Sequence, residues 1–270
     1  MNIAVSNVAW EFSENDKVVD VFHHYDVKGI EIAPTKVWES PTTVSDAAIK
    51  RHSTYWTDKG ITPVAIQSIL FGHTELTIFQ DKITRTKTLS YLKEMIRVSA
   101  VLGAKAIVFG SPKNRITYGL DHHTVMDIAI PFFTELGEIA KQYHMFFCIE
   151  PNAKAYGNDF ITNTNEGVTF VQMVNHPNVG LNLDTGIMTI NQESYADVIA
   201  RALPYVYHVH ISEPFLEPIG TKETNHLALA SALRSVNYTR WVSVEMKGNK
   251  PPHNIDALDQ SLKLVTSIYR

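Results

Sequence analysis

Eight short runs of β-branched and apolar residues alternate along the chain with longer segments of helical apolar spacing. This alternation constrains the fold more than any other feature. The runs are IAVSNV (3–8), GIEIA (29–33), ITPVAIQSI (61–69), AKAIVFG (104–110), MFFCIE (145–150), VGLNLD (179–184), YVYHVHIS (205–212) and WVSVEM (241–246). Between two of them, LSYLKEMIRVSAVLG carries Leu89, Leu92, Met95, Ser99 and Leu102 at helix-face intervals. Helix starts are marked by Ser13 with Asp16 three residues on, and by Asn163 with Glu166 three residues on. Eight strand–helix pairs in 270 residues, with no Pro/Gly/Ser-rich linker, predict one (β/α)8 TIM barrel spanning residues 1–270 as a single domain. An open doubly wound sheet would call for a glycine-rich phosphate turn, and no GxGxxG is present.

Composition narrows the function classes. A formal net charge of −4 argues against a nucleic-acid surface, which needs clustered Lys and Arg. No run approaches the ~18 apolar residues of a membrane span. The start, MNIAVSNVAWEF, lacks a basic leader region and carries an early Glu11, so a cytoplasmic protein is expected. The single cysteine, Cys148, sits in the apolar run MFFCIE and reads as a small buried hydrophobe.

Barrels of this type place their chemistry at the C-terminal strand ends, so the last inward residue of each run matters most. With the period of two, Phe146, Cys148 and Glu150 share a face, as do Gly180, Asn182 and Asp184. Val206, His208, His210 and Ser212 form a third such face, and Trp241, Ser243 and Glu245 a fourth. Four consecutive strands therefore end in Glu150, Asp184, His210 and Glu245. One carboxylate at a strand end is ordinarily a helix cap. Three converging in one mouth repel unless protonated or neutralised by a cation. With one imidazole they make a hard, oxygen-rich ligand set for one divalent metal ion. That set suits Mn²⁺ or Mg²⁺, with Co²⁺, Fe²⁺ and Zn²⁺ as further candidates. Below that layer, Glu31 is expected to pair with His208, read as a structural core histidine. Gln67, His73, Lys113 and Arg115 are candidate substrate contacts, the last two on a loop expected to be solvated. His23, His24, His122 and His123 fall on helix or loop surfaces.

GIEIAP near residue 30, IEPN at 149–152, LNLDTG at 181–186, HVHISE at 208–213 and VSVEM at 242–246 together resemble the xylose-isomerase-like TIM-barrel superfamily. That group holds sugar and sugar-phosphate isomerases and epimerases, inosose dehydratases and apurinic endonucleases. The resemblance implies one divalent metal on Glu150, Asp184, His210 and Glu245. It also implies that Glu150 and Glu245 are the proton-transferring catalytic pair, working through a metal-stabilised enediolate. The implied partner is a sugar, polyol or sugar phosphate, with no nucleic acid and no membrane; a homo-oligomer is common in the family. Two positions depart from the epimerase pattern. Ile187 stands where those enzymes carry a histidine, and the loop EPFLEPIG (213–220) lacks their arginine. An inosose-type dehydratase on the same site, or a non-catalytic binding barrel, are the alternatives. The trinuclear site of an apurinic endonuclease is disfavoured by Ile187 and Ser111, where further ligands are expected.

Overall fold

A computed structural model describes residues 1–251 and 253–270. Eight parallel strands close into one barrel in sequence order. They are β1 (Asn2–Ser6), β2 (Gly29–Ile32), β3 (Thr62–Ile66), β4 (Ala106–Phe109), β5 (Phe146–Ile149), β6 (Val179–Asp184), β7 (Val206–Ser212) and β8 (Trp241–Glu245). Helices α1 (Asn15–His24), α2 (Pro34–Val37), α3 (Asp46–Thr57), α4 (Lys82–Leu102), α5 (His122–Gln142), α6 (Thr164–Val174), α7 (Thr185–Ile190), α8 (Tyr195–Ala202), α9 (His226–Ser235) and α10 (Asn254–Tyr269) fill the crossovers. The alternation read from the sequence is thus the (β/α)8 barrel, and it forms one domain. Among the described residues no helix is long and apolar enough to cross a membrane.

Outward-facing Ile, Val and Phe of the strands pack under the helices in one continuous core. Parallel strands covered on both faces need this near-continuous apolar character. Inside the barrel the residues are small or polar. Ala4, Val64, Ala65, Ala106 and Cys148 form the lower interior, closed by Phe146, Tyr207 and Trp241. Phe146 and Tyr207 stack at 3.7 Å, and the Arg240 guanidinium lies 4.3 Å over the Tyr207 ring. Cys148 is fully buried there, as its apolar run predicts, and burial pushes its thiol up to about 12.

Two strand-pairing irregularities escape period-two reasoning. Between β6 and β7, Leu181 pairs with Val206 but Asn182 pairs with His208, so Tyr207 is an inserted bulge residue. The insertion reverses side-chain parity below His208. Val206 therefore packs in the outer core rather than on the His208–His210 face expected for it. Gly180 accommodates the bulge, since a Cβ there would lie 2.2 Å from the Tyr207 ring and 2.5 Å from the Tyr205 carbonyl. A second shift between Ile30 and Glu31 makes Val64 the extra residue of β3.

Helix starts follow the sequence in one case and not in the other. Asn163 caps α6, accepting the Glu166 amide at 3.0 Å, while the Glu166 carboxylate accepts the Thr162 amide at 2.6 Å. Ser13, expected to cap α1, lies instead inside a 3-10 turn over Phe12–Glu14. Glu11 and Glu14 form the capping box of that turn, leaving α1 to begin at Asn15. The physical reason is that two flanking carboxylates outcompete one hydroxyl for the free amides.

Candidate metal centre

The ends of β5, β6, β7 and β8 bring Glu150, Asp184, His210 and Glu245 together. Their ligand atoms all lie within 4.8 Å of one another, and all four side chains are buried. His210 Nδ1 is the hub: it lies 3.1 Å from Glu150 Oε1, 3.0 Å from Glu245 Oε2 and 3.9 Å from Asp184 Oδ2. None of these contacts has hydrogen-bond alignment, so Nδ1 is a buried nitrogen without a hydrogen-bond partner. A lone pair aimed among three carboxylates fits a cation better than it fits a proton. The four residues therefore form a group that could hold a metal ion.

Two of the three carboxylates are oriented by hydrogen bonds from neighbours. Asp184 caps α7, Oδ1 accepting the Ile187 amide at 2.7 Å, while Oδ2 accepts the Ser212 hydroxyl at 2.8 Å. It is thus both the cap that a strand-end carboxylate usually is and a member of the cluster. Glu150 Oε1 accepts from Asn182 Nδ2 at 2.7 Å, and Oε2 from Asn152 Nδ2 at 3.0 Å. Asn182 shares the Asp184 face in the sequence, which was the available signal for its role. Ser212 shares the His210 face in the same way, and Asn152 closes the IEPN motif.

Electrostatics without a cation are lopsided. Burial, then Glu150 and Glu245, hold Asp184 well above the usual carboxylate range. Burial would strip the His210 proton, but Glu31 and Glu245 outweigh it and raise the imidazole well above its ordinary value. Burial likewise opposes ionisation of Glu150, yet His210 and the Asn152 amide hold that carboxyl below its ordinary value. A buried cluster with more carboxylates than cations thus retains protons that a metal ion would displace.

Beneath this layer Glu31 faces both histidines, at ion-pair distance from His208 and hydrogen-bonded to His210. Glu31 is fully buried and was expected to meet His208, whose Nε2 is 3.5 Å from Glu31 Oε1 without hydrogen-bond geometry. His210 Nε2 makes the hydrogen bond to the same oxygen, at 3.1 Å. His210 thus joins the mouth to the inner layer, because a strand-centred imidazole presents its two nitrogens in opposite directions.

The remaining candidates separate. Gln67 is buried in the barrel, donating to Ser6 Oγ at 2.5 Å. His73 pairs with Glu75 at 3.1 Å and packs 4.7 Å from the Tyr91 ring. Lys113 is exposed. Arg115 is not on a solvated loop, as expected, but fully buried. Its Nη2 donates to the Glu150 carbonyl at 2.6 Å, its Nε and Nη1 are buried without a hydrogen-bond partner, and its Cζ sits 5.8 Å over Phe109. Burial brings its pKa down to about 10, with Glu150 opposing. The surface histidines His23, His24, His122 and His123 are exposed, as predicted.

The absence of a side chain at Gly110 is part of the site. A Cβ there would fall 2.6 Å from Glu150 Oε2 and 3.6 Å from Asn152 Nδ2. Gly110→Ala should displace the Glu150 carboxylate while the barrel stays folded. Calorimetric Mn²⁺ uptake should weaken at an unchanged melting temperature; parental uptake would show that the carboxylate has room to spare.

A family model described as xylose isomerase-like TIM barrel matches residues 19–268. D-psicose 3-epimerase of Ruminiclostridium cellulolyticum is 31% identical over 111 residues, covering 41% of this chain and 38% of that protein. The aligned stretch therefore spans under two fifths of that relative. In structure, a D-psicose 3-epimerase crystallised in the presence of D-fructose matches with a TM-score of 0.82 at 21% identity, over 100% of this chain and 99% of that one. The IOLI protein with a bound zinc atom matches with a TM-score of 0.77 at 18% identity, over 100% and 98%. Both structural likenesses establish the shared fold.

Proposed function

Because the chain belongs to the xylose isomerase-like TIM-barrel family, we propose that it is a divalent-metal-dependent epimerase or isomerase of a sugar or sugar phosphate. The observation that carries this reading is the convergence of three buried carboxylates on one unpartnered imidazole nitrogen at the barrel mouth. Glu150, Asp184, His210 and Glu245 would hold the ion, with Mn²⁺ the first choice for so oxygen-rich a set. When bound, it supplies Lewis acidity towards a substrate carbonyl and adjacent hydroxyl, acidifying the neighbouring C–H.

The protein's own groups then divide the proton work. Glu150 and Glu245 stand at the ends of β5 and β8, with β6 and β7 between them around the ring, and so face the mouth from different sides. One can remove a proton and the other return it to the opposite face, giving epimerisation; one carboxylate acting alone gives isomerisation. Glu150, kept ionised by His210 and Asn152 and oriented by Asn182, is the base at neutral pH. Asp184, tied to the Ile187 amide and the Ser212 hydroxyl, is a fixed ligand rather than a proton carrier. The named relatives make a ketose the first substrate class to test.

A second reading rests on Ile187 and the β7–α9 loop. Ile187 is buried and offers the site only its backbone amide. The Glu213 carboxylate after β7 is turned inward, accepting from the Gly220 amide at 2.8 Å and lying 3.1 Å from His226 Nε2. No arginine in that loop reaches for the substrate's reacting end, which favours an inosose-type dehydratase as the alternative. Ketoses, aldoses and inososes, free and phosphorylated, should be incubated with Mn²⁺ in D₂O. Deuterium uptake at carbon with an isomeric product supports the first reading, and loss of water the second. No uptake or turnover with any of them, and no Mn²⁺-induced rise in melting temperature, would leave a non-catalytic barrel.

Metal entry should also expel protons. Asp184 and His210 both titrate above their ordinary values in the ion-free centre. Near neutral pH they retain protons that a bound cation excludes. Mn²⁺ titration in buffers of different ionisation enthalpy should therefore show net proton release, shrinking as pH rises. Buffer-independent heats would contradict it.

A further inference from the structure

We propose that Glu31 is a positioning residue for this centre: its carboxylate holds the proton of His210 on Nε2 and so commits Nδ1 to the mouth as the coordinating nitrogen. The inference rests on the metal-site reading above and assigns a task to a residue that is otherwise part of the barrel's filling.

Glu31 comes from β2, across the barrel interior from β7, and is fully buried. A carboxylate in that position is costly unless it is paired, and an apolar residue would fill the same space at less cost. Its surroundings point to one use. The His210 ring sets Nε2 against Glu31 Oε1 at 3.1 Å with hydrogen-bond geometry, and Nδ1 against Glu150 and Glu245 without it. The proton thus has a place on the lower nitrogen and none of comparable quality on the upper one. A free imidazole exchanges between tautomers, and only the nitrogen without a proton can coordinate a cation. The hydrogen bond made by the other nitrogen decides which that is.

The His208 ring stands edge-on to His210 at 5.4 Å and 85°, which limits rotation of the His210 ring about its own bonds. His208 Nε2 makes no hydrogen bond to Glu31, so it does not compete for the oxygen that His210 uses. The ligand atoms of Glu31, His208 and His210 also lie within 4.8 Å of one another, a spacing at which a second cation could bind. The aligned contact at Nε2 favours a proton there instead.

The test titrates Mn²⁺ calorimetrically into the parent chain, Glu31→Gln, and Asp184→Asn as a reference for the centre itself. Histidine-ring ¹⁵N spectra are recorded on the Mg²⁺-loaded parent. The expected result is one Mn²⁺ per chain, bound about 10–100-fold more weakly by Glu31→Gln at a similar melting temperature. The His210 Nε2 should be protonated and Nδ1 not in the loaded parent, a reading that needs no variant to fold. Two Mn²⁺ per chain, a proton on Nδ1, or a Glu31→Gln variant that loses stability but binds like the parent would each overturn the proposal. If Asp184→Asn also binds like the parent, the metal centre itself is wrong. If Asp184→Asn is weakened and Glu31→Gln is not, only the role of Glu31 falls.

Discussion

Glu150→Gln and Glu245→Gln, each saturated with Mn²⁺, should exchange deuterium into substrate about 10²–10⁴-fold more slowly than the parent, the range that a positioned acid–base group contributes. The substitution keeps the shape of each side chain but removes its charge and its ability to take up a proton, which is why each variant is compared at saturating Mn²⁺. For Glu150 the glutamine carbonyl can keep one of the two asparagine donors, while its amide nitrogen, itself a donor, loses the other. Melting temperatures should stay close to the parent's, which separates lost chemistry from lost fold. Exchange at the parental rate in one variant would remove that glutamate from the proton path. The other would then work alone, as isomerisation requires and epimerisation with two faces does not.

His210→Ala should have the largest effect on the fold itself. The imidazole is the hydrogen-bonded partner of Glu31, and removing one member of a buried pair leaves an uncompensated charge, at a cost of about 3–5 kcal/mol. Urea unfolding should show that loss together with lost Mn²⁺ binding. Adding Glu31→Gln should restore most of the stability and none of the binding. His208→Ala, which removes no hydrogen bond to Glu31, should cost less and leave Mn²⁺ affinity near the parent's. The pH dependence has a definite sign. Burial opposes ionisation of Glu31, but His210 and His208 outweigh it and hold its folded pKa below the ordinary 4.5. The stabilisation is complete above that value and fades as pH falls through the folded one. In His210→Ala the carboxyl can protonate more easily, so the deficit against the parent should narrow in acid. A constant deficit between neutral and acid pH would mean that lost packing, not the stranded charge, sets the cost.

Glu150, Asp184 and Glu245 were legible because each stands at the end of its strand, where counting by twos is secure, and His210 stands only two residues before the end of β7. Pro151 follows Glu150, and Thr185-Gly186 follows Asp184, so the direction of the last side chain did not depend on the rest of the strand. Further down, the count fails at Val206, because the inserted Tyr207 leaves no mark in a run of Val, Tyr and His. Glu31 could be placed inside the barrel, but which histidine it reaches depends on the relative heights of β2 and β7, strands that do not pair. Arg115 shows a different limit. A cation in a Pro-containing loop reads as solvated, and what surrounds it, the Glu150 carbonyl and carboxylate and the Phe109 ring, comes from strand ends distant in sequence or packed behind it. Ser13 failed as a cap for a local reason, the competition from Glu11 and Glu14.

The inserted residue in β7 acts as a phase slip in a wave of period two. Below it the strand sends an aromatic ring inward to stop the base of the barrel. Above it the same strand sends two imidazoles inward to the chemistry. A strand without the slip would have to choose, since the spacing that aims Tyr207 at Phe146 would turn His208 and His210 towards the helices. The two halves of β7 can therefore change independently. Substitutions in the stopper leave the aim of the imidazoles alone, and deleting Tyr207 should make Val206 and His208 the regular partners of Leu181 and Asn182, so that the base loses its stopper while the site keeps its aim.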